Sequence, residues 1–128
     1  MLERLHPTIS EAADSLIAEG RYGPGVLEAL KACEHEFASR SGAADCKDRA
    51  LVIKTCLDPK RRGSIEPWTD EKHLLAFQNF CINAFIACRN PLAHGVLPMS
   101  ASQAFSWLGV AHLMMTMMDP PVTETPSP

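Results

Sequence analysis

Neither a CxxC pair nor a zinc-type Cys/His spacing occurs among the five cysteines, Cys33, Cys46, Cys56, Cys81 and Cys88, so a structural zinc site is not indicated. Their odd number, and the apolar surroundings of Cys33, Cys81 and Cys88, predict buried thiols in a reducing compartment. The opening residues Met-Leu-Glu-Arg-Leu-His-Pro lack the apolar core of a signal peptide, and no apolar run is long enough to span a bilayer. These absences predict a soluble cytoplasmic domain that uses no membrane. A large excess of one charge is also missing: the formal net charge is −3. That value argues against a protein that coats polyanions generally, while leaving room for a local basic cleft. No stretch alternates β-branched residues between turns as a strand does, and no internal repeat is present.

What remains is a helical chain. With 128 residues, 46% hydrophobic and 21% charged, it is long enough for one domain with its own core. Pro7 suits the first turn of an opening helix, and Ile9, Ala12, Ala13, Leu16 and Ile17 recur at helical spacing on one stripe. Gly20 closes that helix. Gly23-Pro24-Gly25 predicts a break before a second helix, Val26 to Ser39, whose core seam is Val26, Leu30, Cys33 and Phe37, with Gly42 at its end. A shorter helix over Asp45 to Cys56 is anchored by Ala50, Leu51, Ile53 and Leu57. The irregular stretch from Leu57 to Trp68 carries Lys60-Arg61-Arg62, which reads as a solvated loop charge run, and Trp68, expected to pack that loop onto the bundle.

Thr69 is the expected N-cap of a long helix, with Asp70 and Glu71 complementing its dipole. From Leu74 to Cys88 that helix is apolar nearly all round, which predicts burial by several neighbours or by another subunit. It is expected to be the central helix of the fold. Ser100-Ala101-Ser102-Gln103 has the form of a capping box. The last helix, Ala101 to Met118, is expected to bury Phe105, Leu108, Ala111, His112, Met115 and Met118 on one side. Asp119-Pro120-Pro121 stops it. The reading is an all-α bundle of four main helices plus a short one, a single domain over residues 1–119, with 120–128 as a disordered tail.

The stretch Cys88-Arg89-Asn90-Pro91-Leu92-Ala93-His94-Gly95 gathers a guanidinium, a carboxamide and an imidazole where Pro91 should loosen or stop the long helix. Arginine is permanently charged and fork-shaped, suited to a phosphate or its transition state. Histidine changes charge near neutral pH, as proton transfer requires. On an uninterrupted helix, positions five apart do not share a face. Arg89 and His94 therefore converge only if Pro91 and Gly95 reshape the chain, or if two copies meet. The plain structural reading of the same residues is a cationic helix end that bonds free carbonyls.

Arg89-Asn90-Pro91-Leu92-Ala93-His94 resembles the R-x4-6-H motif of the HEPN superfamily, including its polar residue directly after the arginine. Leu5-His6-Pro7-Thr8-Ile9, Ala12-Ala13, Leu16, Gly20-Arg21-Tyr22 and the run Glu28 to Glu34 are similar to the Ymh-type family of conserved prokaryotic and phage proteins. That likeness covers about His6 to Asp119. It implies a HEPN-like bundle that forms a homodimer and acts as a metal-independent endoribonuclease of the toxin or abortive-infection type. RNA is then the substrate, no cofactor is used, and an antitoxin protein is a possible partner. Arg89 and His94 are the implied catalytic pair, with Asn90 in support. The family's acidic residue at the start of the last helix is replaced here by Ser102 and Gln103. Two alternatives stand beside the endoribonuclease: a non-catalytic HEPN module that binds nucleic acid or nucleotide or partners a toxin, as other relatives of that superfamily do, and a structural dimer in which Arg89 and His94 only cap a helix.

Overall fold

Pro7 sets the first turn of helix α1, Pro7–Ala18, because its fixed φ suits a helix and its missing N–H would lack a helical partner there. In the computed structural model, which describes residues 5–42, 48–58, 60 and 70–118, α1 ends in a complete Schellman closure. Gly20, at φ +78°, follows the cap residue Glu19. Its N–H bonds to the Ile17 carbonyl, and the Arg21 N–H bonds to that of Leu16. A left-handed residue is required at this position, which is why glycine stands there.

Helix α2 begins earlier than the glycines suggest. It runs Tyr22–Ser41, with Gly23-Pro24-Gly25 inside its first turn rather than ahead of it. Proline is tolerated so close to the start because the first N–H groups of a helix have no partner within it. Gly25 has a packing reason: a Cβ there would lie 2.6 Å from Cδ1 of Ile17, so its absence lets α1 and α2 approach closely.

Helix α2 is the true centre of the bundle. It touches α1, the short α3 (Arg49–Cys56), the turn that follows α4 (Glu71–Ala84), and α6 (Ala101–Met118). Its expected seam of Val26, Leu30, Cys33 and Phe37 is fully buried, together with Ala29. The helix expected at the centre is instead half covered. α4 buries Leu74, Phe77, Gln78, Cys81 and Ala84, while Leu75 and Phe80 remain exposed. All-round apolar character thus does not place α4 in the interior.

Polar ties hold the helix ends. Asp70, not Thr69, caps α4 by accepting the Lys72 N–H at 2.9 Å. The capping box at α6 forms as expected, Ser100 N–H to Gln103 Oε1 at 3.0 Å and Gln103 N–H to Ser100 Oγ at 3.2 Å. Buried Gln78 donates to the Lys54 and Leu57 carbonyls at the end of α3. Arg40 does the same for the Met118 carbonyl at the end of α6 while holding Glu36. His112 is half-buried and satisfied, its Nδ1 accepting the His6 N–H at 2.8 Å; this tie fastens the start of α1 to α6.

Two anchors differ from expectation. Phe105 is 60% exposed and Leu51 51% exposed; Ala104 and Val52 take the buried positions beside them. Both misplaced residues sit one position off the core-facing register, where only neighbouring helices decide which side turns in. Among the described residues there is no strand, and the four long elements plus α3 agree with the expected bundle. No helix among them is long and apolar enough to cross a membrane. Arg61, Arg62, Trp68, Thr69 and the tail beyond Met118 lie outside the described residues, as does the expected start of the third helix at Asp45.

The α1–α2 contact generates a stability prediction. Gly25→Val should cost about 1–3 kcal/mol through overpacking against Ile17, read as a lower urea midpoint with an unchanged slope. An unaltered midpoint would contradict the close approach.

Candidate functional site

Pro91 neither stops the long helix nor leaves it regular. A π-helical turn, Phe85–Arg89, follows α4, and the chain then resumes as a single α-helical turn, α5 (Asn90–Ala93). The Asn90 N–H reaches back to the Phe85 carbonyl, a bond across five residues instead of four. The physical reason lies in the proline. Within a regular helix its ring would press on the carbonyl four residues back, and its missing N–H would leave that carbonyl unbonded. Widening the helix immediately before Pro91 accommodates both demands without breaking the chain direction.

This wide turn delivers Phe85 and Arg89 to α2 and buries Cys88 between them in sequence. Phe85 meets Phe37 edge to face, with ring centroids 6.3 Å apart at 80°, a favoured aromatic geometry. Cys88 is fully buried. Arg89 points inward, its Nε donating to Glu34 Oε2 at 2.8 Å, with the two side chains only 16% and 15% exposed. Glu34 is the residue that the motif reading missed. Its helical position alone cannot show that an arginine 55 residues later turns toward it.

His94 and Asn90 behave differently. His94 caps α5, with Gly95 next at φ +69°. The Gly95 N–H bonds to the Leu92 carbonyl and the Val96 N–H to that of Pro91, a second Schellman closure. Both Asn90 and His94 are exposed, and their spacing of four places them on one face. Arg89, five positions before His94, is turned about 140° away on a helix of 3.6 residues per turn. The structure therefore brings Asn90 and His94 together on an outer face and commits Arg89 to an inner one. On that spacing, the Arg89 and His94 side chains leave the helix on different sides.

Other chemistries find little support near this turn. Burial pushes the Cys33 thiol up to about 12, with Glu36 adding to the effect, and the Cys88 thiol up to about 11. Burial raises Cys81 as well. Thiols held protonated near neutral pH are poor nucleophiles. Among the described residues, no three His, Cys, Asp or Glu side chains are grouped to hold a metal ion.

Elsewhere, α4 and α6 share an uncovered apolar face. Phe80 and Leu113 are 42% and 43% exposed. With His73, Ala76, Phe77 and Met117 they line a shallow groove of about 380 Å³.

The Arg89–Glu34 pair generates a prediction. Because both side chains are mostly out of solvent, removing either one breaks a largely buried ion pair, and Arg89→Met or Glu34→Leu alone should cost about 3–5 kcal/mol. The double variant should recover much of that loss, giving a coupling of at least about 1 kcal/mol in a double-mutant cycle. Additive losses would show that the pair is not coupled.

Residues 3–118 match the family described as Protein of unknown function (Hypoth_ymh). No curated protein and no solved structure matches the chain. The match spans nearly every helix described above, including the π-helical turn and the Arg89–His94 segment, and the chain belongs to the Hypoth_ymh family.

Proposed function

We propose that the chain is a HEPN-type endoribonuclease that cleaves RNA by 2′-OH transesterification, in the manner of toxin or abortive-infection proteins. The observation that supports this reading is the state of the two ionisable motif residues. His94 is exposed at a helix end fixed by its Schellman closure. Glu34 holds Arg89 through Nε, and the guanidinium's terminal nitrogens carry the forked donors that suit a phosphate. A rigid, pre-oriented cation and an accessible proton-transfer group are what this chemistry asks of a protein.

In the proposed reaction the 2′-oxygen attacks the adjacent phosphorus and the bond from phosphorus to the 5′-oxygen breaks. A His94 imidazole takes the proton of the 2′-OH, and a second His94, protonated, gives one to the departing oxygen. Arg89 neutralises charge growing on the phosphoryl oxygens. Asn90, on the His94 face, orients the imidazole or the substrate. Because helical spacing sends Arg89 and His94 off different sides of the turn, the proposed site lies between two copies facing each other across a two-fold axis. The uncovered α4–α6 face is the proposed homodimer surface. An antitoxin protein that restrains the nuclease is the proposed partner in the cell.

A second reading has its own support. The Arg89–Glu34 pair already satisfies part of the guanidinium, and it fits a structural tie in a non-catalytic HEPN module as well. Arg89→Ala cannot separate the two readings, since it removes both the tie and the phosphate contact. His94→Ala can, because an exposed imidazole contributes little packing.

His94→Ala should leave the fold intact, with a stability change of at most about 1 kcal/mol, and should slow cleavage of total RNA about 100- to 10,000-fold. Undiminished cleavage by this variant, or no cleavage by the wild type, would replace the nuclease with the binding module. Light scattering at micromolar concentration should give twice the monomer mass, and Leu113→Asp should halve it. A wild type that stays monomeric would remove the shared-site mechanism.

A further inference from the structure

A second groove, of about 470 Å³, lies where the α1–α2 junction meets the segment following the motif. Its volume falls in the ~300–1,000 Å³ range of small-ligand sites. Leu16, Leu27, Leu92 and Leu97 make its walls apolar, and Arg21 and Glu28 stand on it with opposite charges. Gly95 and Val96 also line it, so the same turn that closes behind His94 forms one wall. Gly23 connects the two sides: a Cβ there would sit 3.5 Å from Cδ2 of Leu92, so α2 rests directly on α5. Both charged groups are accessible. The Arg21 side chain is 59% exposed and meets Glu19 only at 3.9 Å, while Glu28 is 44% exposed with its Oε2 3.4 Å from Lys31 Nζ, in an exposed ion pair that water already screens.

We infer that this groove seats the unpaired base of the nucleotide next to the scissile phosphate, and that Glu28 selects guanine. The inference rests on the ribonuclease reading and extends it to substrate choice. Apolar walls suit the faces of a planar base, which single-stranded RNA exposes. Arg21 faces the nucleotide's phosphate. A carboxylate offers two acceptor oxygens and no donor. Guanine is the RNA base that presents two adjacent N–H donors, N1 and N2, on its pairing edge, so it can bond both oxygens at once. Uracil brings an N3 donor flanked by two carbonyls that Glu28 would repel. Adenine and cytosine each present one amino group beside an acceptor nitrogen.

The test uses His94→Ala, so that binding is observed without cleavage. Titrated with guanosine 5′-monophosphate, its amide NMR signals from Gly23, Leu27, Gly95 and Val96 should shift. Uridine 5′-monophosphate should bind about tenfold or more weakly, the discrimination expected of a bidentate contact. Glu28→Gln in the same background should abolish that preference, and in the otherwise wild-type protein it should erase guanine enrichment beside the cut sites. Equal binding of the two nucleotides, no shifts at the groove, or a preference that survives Glu28→Gln would overturn the inference. The two readings fail separately. RNA cleavage with no base preference and a silent groove removes the guanine site alone, whereas guanine-selective binding without any cleavage removes the nuclease and leaves the nucleotide site standing.

Discussion

The motif region depends on the contact between the π-helical turn and α2. A wide turn directly before Pro91 lets the long helix continue past a residue that would otherwise break it. The same widening sets where Phe85 and Arg89 point, and both land on α2. The Arg89–Glu34 bond then fixes rotation about the helix axis, because two charges withdrawn from water tolerate no other partner geometry without a large desolvation cost. With that register set, Asn90 and His94 face outward. The polarity of the motif, one residue inside and two outside, follows from this single join.

On the proposed reading, Arg89 has two duties that pull against each other. As a tie it should be saturated; as a phosphate ligand it should be free. A guanidinium can serve both, since its donors are five and fixed in a plane. Glu34 engages Nε at 2.8 Å and so acts as a positioning residue for the remaining donors. A lysine could not divide its charge this way, which accounts physically for arginine at the position. In the proposed homodimer, Arg89 of one copy would meet His94 of the other, and the exposed Phe80 and Leu113 lie on the helices proposed to meet.

Much of the bundle was legible in local chemistry. The seam of α2, the Ser100–Gln103 box and the glycines at positions 20 and 42 depend on nearest neighbours along the chain, and they stand where spacing puts them. The family resemblance through the Ymh-type segments was also legible, and the match over residues 3–118 bears it out. What spacing could not supply was anything decided across the fold. Whether α2 or α4 lies at the centre depends on how many neighbours each acquires, and both are apolar enough for either place. Gly23-Pro24-Gly25 carries the composition of a break, yet packing against Ile17 makes it the start of a helix. Pro91 announces a disturbance without saying whether the chain will stop or widen. Glu34 entered the motif's surroundings only through tertiary contact.

The account's central claim is that RNA's own 2′-OH is the nucleophile at a site built from Arg89 and His94. Its most direct test is a pair of synthetic RNAs identical except for hydrogen in place of the 2′-OH at the scissile nucleotide. The wild-type protein should cut the all-ribose strand to a 2′,3′-cyclic phosphate end and leave the deoxy-substituted strand whole at that position. Equal cutting of both strands, or products with a 3′-hydroxyl, would contradict it.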